Sequence, residues 1–118
     1  MCGIAGILEA FTSFNKASEN LLAKVSLMLN VISHRGPDDS GLWMEKNEEL
    51  CIGHRRLSII DPSVEGKQPM VSACRRYIIV CNGEIYNYLE LKEELGKLGA
   101  KFRGNSDIEA VSYTHLTL

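Results

Sequence analysis

The amino-acid sequence predicts a mixed domain of the α+β class. Two observations carry this. Short apolar or β-branched runs at 3–8, 42–44, 50–53 and 77–81 have the length and composition of strands. Two longer stretches, 18–32 and 87–98, instead repeat apolar residues at helical spacing. The 118 residues match the usual size of one domain, and no internal repeat, low-complexity tract or composition break divides them.

The chain opens Met1-Cys2-Gly3-Ile4-Ala5-Gly6-Ile7, and residues 3–8 have the small apolar character of a buried strand. A polar loop is expected over 11–17. Ser18 then stands where an N-cap would, ahead of a helix whose Leu21, Val25, Met28, Leu29 and Ile32 form one core-facing side. Ser33-His34-Arg35-Gly36-Pro37-Asp38-Asp39-Ser40-Gly41 is rich in turn formers and reads as a loop. Strands follow at 42–44 and 50–53, with charged residues turning between them. Residues 54–60 read as extended, Asp61-Pro62 ends them, and a loop through Pro69 leads to Met70.

Tyr77-Ile78-Ile79-Val80-Cys81 has no polar alternation, so it predicts a strand buried on both faces. It runs into Asn82-Gly83-Glu84-Ile85-Tyr86-Asn87. Asn87 with Glu90 resembles an N-cap and its N3 carboxylate, Leu89, Leu91, Leu95 and Leu98 continue the helix, and Gly99 closes it. Ser106-Asp107-Ile108-Glu109 is a capping-box start, yet residues 111–118 are β-branched and poor in helix formers. The helix begun there is expected to stop after about one turn.

Composition excludes several classes of function. A net charge of −2 without a Lys/Arg run argues against nucleic acid or an acidic membrane surface as partner. No apolar run approaches the ~20 residues that span a bilayer, and no signal-peptide pattern opens the chain, so a cytoplasmic location is expected. There the thiols of Cys2, Cys51, Cys74 and Cys81 stay reduced. No C-x-x-C pair occurs and His34, His54 and His115 are scattered, so no metal site is expected.

Several residues carry chemistry, each with a plainer alternative. Removal of Met1 would leave Cys2 with a thiol and a free α-amine on one residue. A terminal amine, with an ordinary pKa of ~7.7–8.0, can take a proton from a thiol of ~8.5 near neutral pH. That is a nucleophile with its base built in; otherwise Cys2 is a small hydrophobe starting a strand. Asn82-Gly83 is either a hairpin turn or a pair of donors for an oxyanion, a side-chain amide and an unobstructed backbone N–H. Against the hairpin, a helix signal follows where the second strand would be needed. Arg56 is either a surface residue or a bidentate clamp for a carboxylate. Glu84 and Asp107 either bind an ammonium group or serve local caps.

The order of these segments is more specific than any one of them. Met1-Cys2-Gly3-Ile4, Ser33-His34-Arg35-Gly36-Pro37-Asp38, the run from His54 to Asp61, Asn82-Gly83-Glu84-Ile85-Tyr86-Asn87 and Ser106-Asp107 together resemble one family. It is the glutaminase domain of glutamine-dependent asparagine synthetases, class II amidotransferases of the N-terminal-nucleophile hydrolase superfamily. His-Arg-Arg-Leu-Ser-Ile-Ile-Asp and Asn-Gly-Glu-Ile-Tyr-Asn look like the asparagine synthetase branch. Some relatives that form carbapenams or β-lactams lack the leading cysteine, which this chain keeps.

The resemblance implies a fold, a reaction and a set of roles. The fold is an αββα four-layer sandwich of two antiparallel sheets, expected here as an incomplete N-terminal part over residues 1–110. Residues 111–118 depart from the family and look like translated adapter or read-through sequence. Made alone, such a part is expected to fold poorly. In the implied reaction Cys2 attacks the side-chain amide of glutamine, and Asn82 and Gly83 stabilise the oxyanion. Arg56 holds the α-carboxylate, Glu84 and Asp107 hold the α-ammonium, and backbone near Leu57 and Ile59 completes the pocket. This domain needs no cofactor. Ammonia passes to a C-terminal synthetase domain in which ATP and Mg²⁺ activate aspartate, and the resemblance allows a homodimer. The alternatives are a related amidotransferase with another acceptor, or a non-catalytic module that kept the fold.

Overall fold

A computed structural model describes residues 2–9, 20–47, 49–57 and 66–117. Its elements are β1 (Gly3–Leu8), α1 (Leu21–Val31), β2 (Asp39–Met44), β3 (Leu50–Arg56), β4 (Met70–Val71), β5 (Ile78–Ile79), α2 (Tyr88–Lys97) and α3 (Asp107–Ser112). Strands pair antiparallel in two sheets, one of three strands in the order β1-β3-β2 and one made by β4 and β5. The mixed α and β class therefore holds.

The periodic face of α1 covers one side of the larger sheet. Leu21, Val25 and Leu29 bury against Cys51 of β3, with Ala5, Ile7, Ile32 and Met44 packed around them. Each fully buried leucine or valine stabilises by about 1.5–3 kcal/mol. Met28, expected on that face, is instead half-exposed, because it lies one position off the Leu21–Val25–Leu29 row. The helix is capped by Asn20, whose side-chain oxygen accepts the Ala23 N–H at 3.0 Å. Ser18, the expected cap, and the loop over 11–17 lie outside the described residues.

Strand β1 forms where expected but is not buried on both faces. Gly3, Ala5 and Ile7 turn toward α1, while Ile4 and Leu8 face outward and are exposed. Alternation of side chains across the sheet is the reason. Strands β2 and β3 run longer than 42–44 and 50–53, since cross-strand pairing extends to Asp39 opposite Arg56. The end of the turn-rich segment and the start of the extended one are thus a single ladder.

Residues 77–81 depart most from expectation. Only Ile78 and Ile79 are strand, both half-buried, and Tyr77 is 41% exposed. A strand is as long as its partner, and the partner here is the two-residue β4. Beyond Ile79 the Cys81 N–H is taken by the Gln68 side chain at 2.7 Å, which ends any ladder on that side.

Helix α2 begins after Asn87 as expected, although the Asn87 side chain makes no capping bond. Its end closes on Gly99, at φ 101°. The Gly99 N–H reaches Gly96 O at 3.1 Å and the Ala100 N–H reaches Leu95 O at 3.0 Å, the paired bonds of a Schellman end. Helix α3 forms over six residues, further than its composition suggests. Packing supplies what propensity lacks: Ala110 and the following Tyr113 bury against Leu95, with Leu91, Ala100 and Phe102 alongside. The capping box itself is not made. Ser106 has the extended backbone of an N-cap but no side-chain bond, and the wholly buried Glu109 accepts the N–H groups of Arg103 at 2.6 Å and Gly104 at 2.9 Å. The carboxylate thus ties the 103–104 segment to the helix instead of reaching back to the Ser106 N–H.

Candidate active site

Pairing of β1 with β3 decides what Cys2 meets. Gly3 lies opposite Arg55, so the residue before β1 sits beside the residues that end β3. There the Leu57 N–H donates to the Cys2 sulfur at 3.4 Å, and the Cys2 thiol lies 3.8 Å from the Leu57 carbonyl. The Cys2 carbonyl accepts from Arg35 Nε at 3.3 Å, which holds the other end of the residue. Arg35 comes from the short 3₁₀ turn Ser33–Arg35 that follows α1.

Beside the thiol is a cleft of about 280 Å³ lined by Cys2, Gly3, Ile4, Ile32, Arg35 and Asn82. Two of the sequence-predicted groups, Cys2 and Asn82, therefore share one cavity across 80 positions of sequence. Asn82, Gly83 and Glu84 are all exposed. Gly83 and Glu84 follow Asn82 on the loop but are not among the residues lining the cleft.

Asp107 reaches this loop from α3. Its Oδ2 accepts the Ile85 N–H at 2.6 Å and its Oδ1 accepts the Ile108 N–H at 3.0 Å. The carboxylate is buried and works first as a tie between the loop and the helix. Each of its oxygens still has a second lone pair. Burial pushes the Cys81 thiol up, with Asp107 and Cys2 adding in the same direction, so these three groups share one neighbourhood.

Arg56 is buried in β3, and its carbonyl accepts the Asp38 N–H at 3.0 Å. It is not among the residues lining the cleft. Ile59 lies outside the described residues. All four cysteines are unpaired, and burial raises the thiol of the core residue Cys51. Cys74 is exposed on the turn between β4 and β5, where Ser72 Oγ at 3.3 Å holds its thiol below the ordinary range, helped by nearby backbone. Among the described residues no group of three His, Cys, Asp or Glu is placed to hold a metal ion, and no helix is long and apolar enough to cross a membrane.

Three residues that touch this region were not singled out from the sequence. Arg35 belongs to a segment that reads as a turn. His54 is 1% exposed and its Nε2 lies 3.1 Å from the Cys81 carbonyl. Gln68, also buried, bonds the Cys81 N–H. The partners lie 33, 27 and 13 positions apart, and no local pattern marks them.

Comparison with known proteins gives the family. The chain is similar to asparagine synthetase [glutamine-hydrolyzing] 1 of Bacillus subtilis, at 41% identity over 98% of this chain and 17% of that protein. A putative asparagine synthetase [glutamine-hydrolyzing] 2 of Methanocaldococcus jannaschii is 42% identical over 80% of this chain and 20% of its own length. Amidase chry2 of Gibberella zeae is 37% identical over 94% and 17%. The chain thus spans between 17% and 20% of the length of these relatives. A family profile described as glutamine amidotransferase domain matches residues 1–117, nearly every position. With Cys2 and Asn82 brought to one cleft and that profile running the length of the chain, the protein belongs to the glutamine amidotransferase domain family.

Proposed function

We propose that this chain is the glutaminase part of a glutamine-dependent asparagine synthetase and that Cys2 releases ammonia from glutamine. The observation that carries the reading is the Cys2 thiol set against the Leu57 N–H in a cleft shared with Asn82. With Met1 removed, the Cys2 α-amine takes the thiol proton as sulfur attacks the glutamine amide carbon. The oxygen that gains charge is met by Asn82 and the Gly83 N–H. The C–N bond breaks, the nitrogen takes the proton from the α-amine, and ammonia leaves a γ-glutamyl thioester. Water then attacks that thioester, releasing glutamate and restoring the thiol.

Arg56 is assigned to the substrate α-carboxylate, Glu84 and Asp107 to its α-ammonium, and backbone at Leu57 and Ile59 to the rest of the pocket. The domain fold is the four-layer αββα sandwich. In its support, the sheet face opposite α1 carries exposed Ile4 and Leu8, apolar groups that a second sheet would cover. ATP, Mg²⁺ and aspartate belong to a synthetase domain that receives the ammonia, and a cytoplasmic location goes with that role.

Cys2→Ala in the full-length protein tests the reading. Glutamate release from glutamine should vanish while synthesis from free ammonia continues, and mass spectrometry should find the active protein starting at Cys2. A fully active protein that retains Met1 would refute the mechanism. A second reading keeps the same domain with another acceptor; the Gibberella relative carries the name amidase rather than asparagine synthetase. Product analysis with aspartate as the only acceptor separates the two.

A further inference from the structure

The Cys81 peptide groups are held from both sides by buried side chains that the mechanism above does not use. On one side Gln68 Oε1 accepts the Cys81 N–H at 2.7 Å. On the other, His54 Nε2 lies 3.1 Å from the Cys81 carbonyl oxygen. A carbonyl only accepts, so Nε2 carries the hydrogen. The lone pair then sits on Nδ1, which has no partner among the described residues.

The fold brings these two side chains to one place by construction. Gly53 faces α1, so His54, its neighbour in β3, points to the opposite side of the sheet. Across β3 from His54 lie Ile4 of β1 and Gly41 of β2. The Gln68 carbonyl packs on Gly41 so closely that a Cβ there would collide with it. Gly41 thereby lets the 66–69 segment cross the sheet beside His54, and both side chains converge on Cys81.

A peptide group is planar, with its C=O and the next N–H pointing opposite ways. Holding the Cys81 oxygen toward His54 therefore fixes the direction of the Asn82 N–H, and with it the start of the loop that places Asn82 in the cleft with Cys2. We infer that His54 and Gln68 are positioning residues that clamp the Cys81 peptide groups and so aim the Asn82-Gly83 donors at the reacting amide of the substrate. The inference rests on the glutaminase reading. It requires no contact between His54 and substrate.

The test uses the full-length protein and three variants. His54→Leu removes the donor, His54→Gln restores an N–H near the Nε2 position, and Gln68→Met removes the acceptor. Misplaced oxyanion donors lower turnover, and a single such donor is worth ~10²–10³ in kcat. His54→Leu and Gln68→Met should lower kcat for glutamine hydrolysis by ~10–100-fold with KM nearly unchanged, since a shift of about 1 Å already has effects of that size. His54→Gln should recover most of the loss. Amide hydrogen exchange over residues 81–83 should speed up in His54→Leu and Gln68→Met and return toward the parent rate in His54→Gln. A His54→Gln protein as slow as His54→Leu at equal thermal stability would overturn the inference. So would an effect on KM alone, or unchanged exchange over 81–83. If the parent protein releases no glutamate, the glutaminase reading fails by itself, while exchange, which needs no substrate, still decides whether the clamp exists.

Discussion

Asp107→Asn is the sharpest probe of how the loop bearing Asn82 is attached to the rest of the molecule. The carboxylate accepts two backbone amides at once, Ile85 at 2.6 Å and Ile108 at 3.0 Å, from a position only 6% exposed. Asparagine keeps one oxygen, so its NH₂ must face one of the two N–H groups. The variant loses the charge assistance on the surviving bond, about 1 kcal/mol, and strands a buried donor at about 1–3 kcal/mol. Together the expected loss is about 2–4 kcal/mol, a large share of the ~5–15 kcal/mol that stabilises a typical domain. Urea unfolding should show the transition of this domain moving to lower denaturant at unchanged slope. Because Glu84 adjoins Ile85, glutamine KM should rise as well. Asp107→Ala, which leaves space for water at both amides, should be no worse than Asp107→Asn in the unfolding assay. A loss under ~0.5 kcal/mol in both variants would mean that the carboxylate is not holding the loop.

Arg56→Ala should mainly raise KM for glutamine, because a carboxylate clamp acts in ground and transition states alike, whereas Asn82→Ala should lower kcat by ~10²–10³. Steady-state kinetics with the two effects exchanged would reverse the assignments. Gly53→Ala puts a Cβ 2.6 Å from Leu29 Cδ1, so the buried Leu29 side chain must repack between α1 and the sheet, and urea unfolding should register a loss of about 1–3 kcal/mol. Gly99→Ala meets no atom within 4 Å, but its φ of 101° strains any L side chain by about 1–3 kcal/mol, which thermal unfolding should detect. Burial, aided by Arg56, holds His54 below 6.5, while its Cys81 bond and Asp39 oppose the shift. The unfolded chain therefore binds the His54 proton more readily than the folded one, so stability is complete above pH 6.5 and declines as pH falls below it. His54→Gln should flatten that decline between pH 7.5 and 5.

Local signals carried the elements that depend on local physics. The Leu21–Val25–Leu29 row specified α1 and its buried side, and Gly99 specified the end of α2, because helical spacing and a left-handed residue act within a few positions. Cys2 and Asn82 were legible as candidates, since a thiol behind the initiator methionine and a side-chain amide beside a glycine are properties of residue type and position. Where those groups stand relative to one another was not legible. Whether 77–81 became a long strand depended on the length of β4, and whether Glu109 closed a capping box depended on the amides of Arg103 and Gly104. Leu57, Arg35, His54 and Gln68 acquired their present contacts only through pairing of β1, β2 and β3 and the crossing at Gly41. Residue type and order named the candidate groups. Tertiary structure alone decided which of them meet and what holds them there, because a hydrogen bond or close contact between residues far apart in the chain exists only once the sheet has set their register.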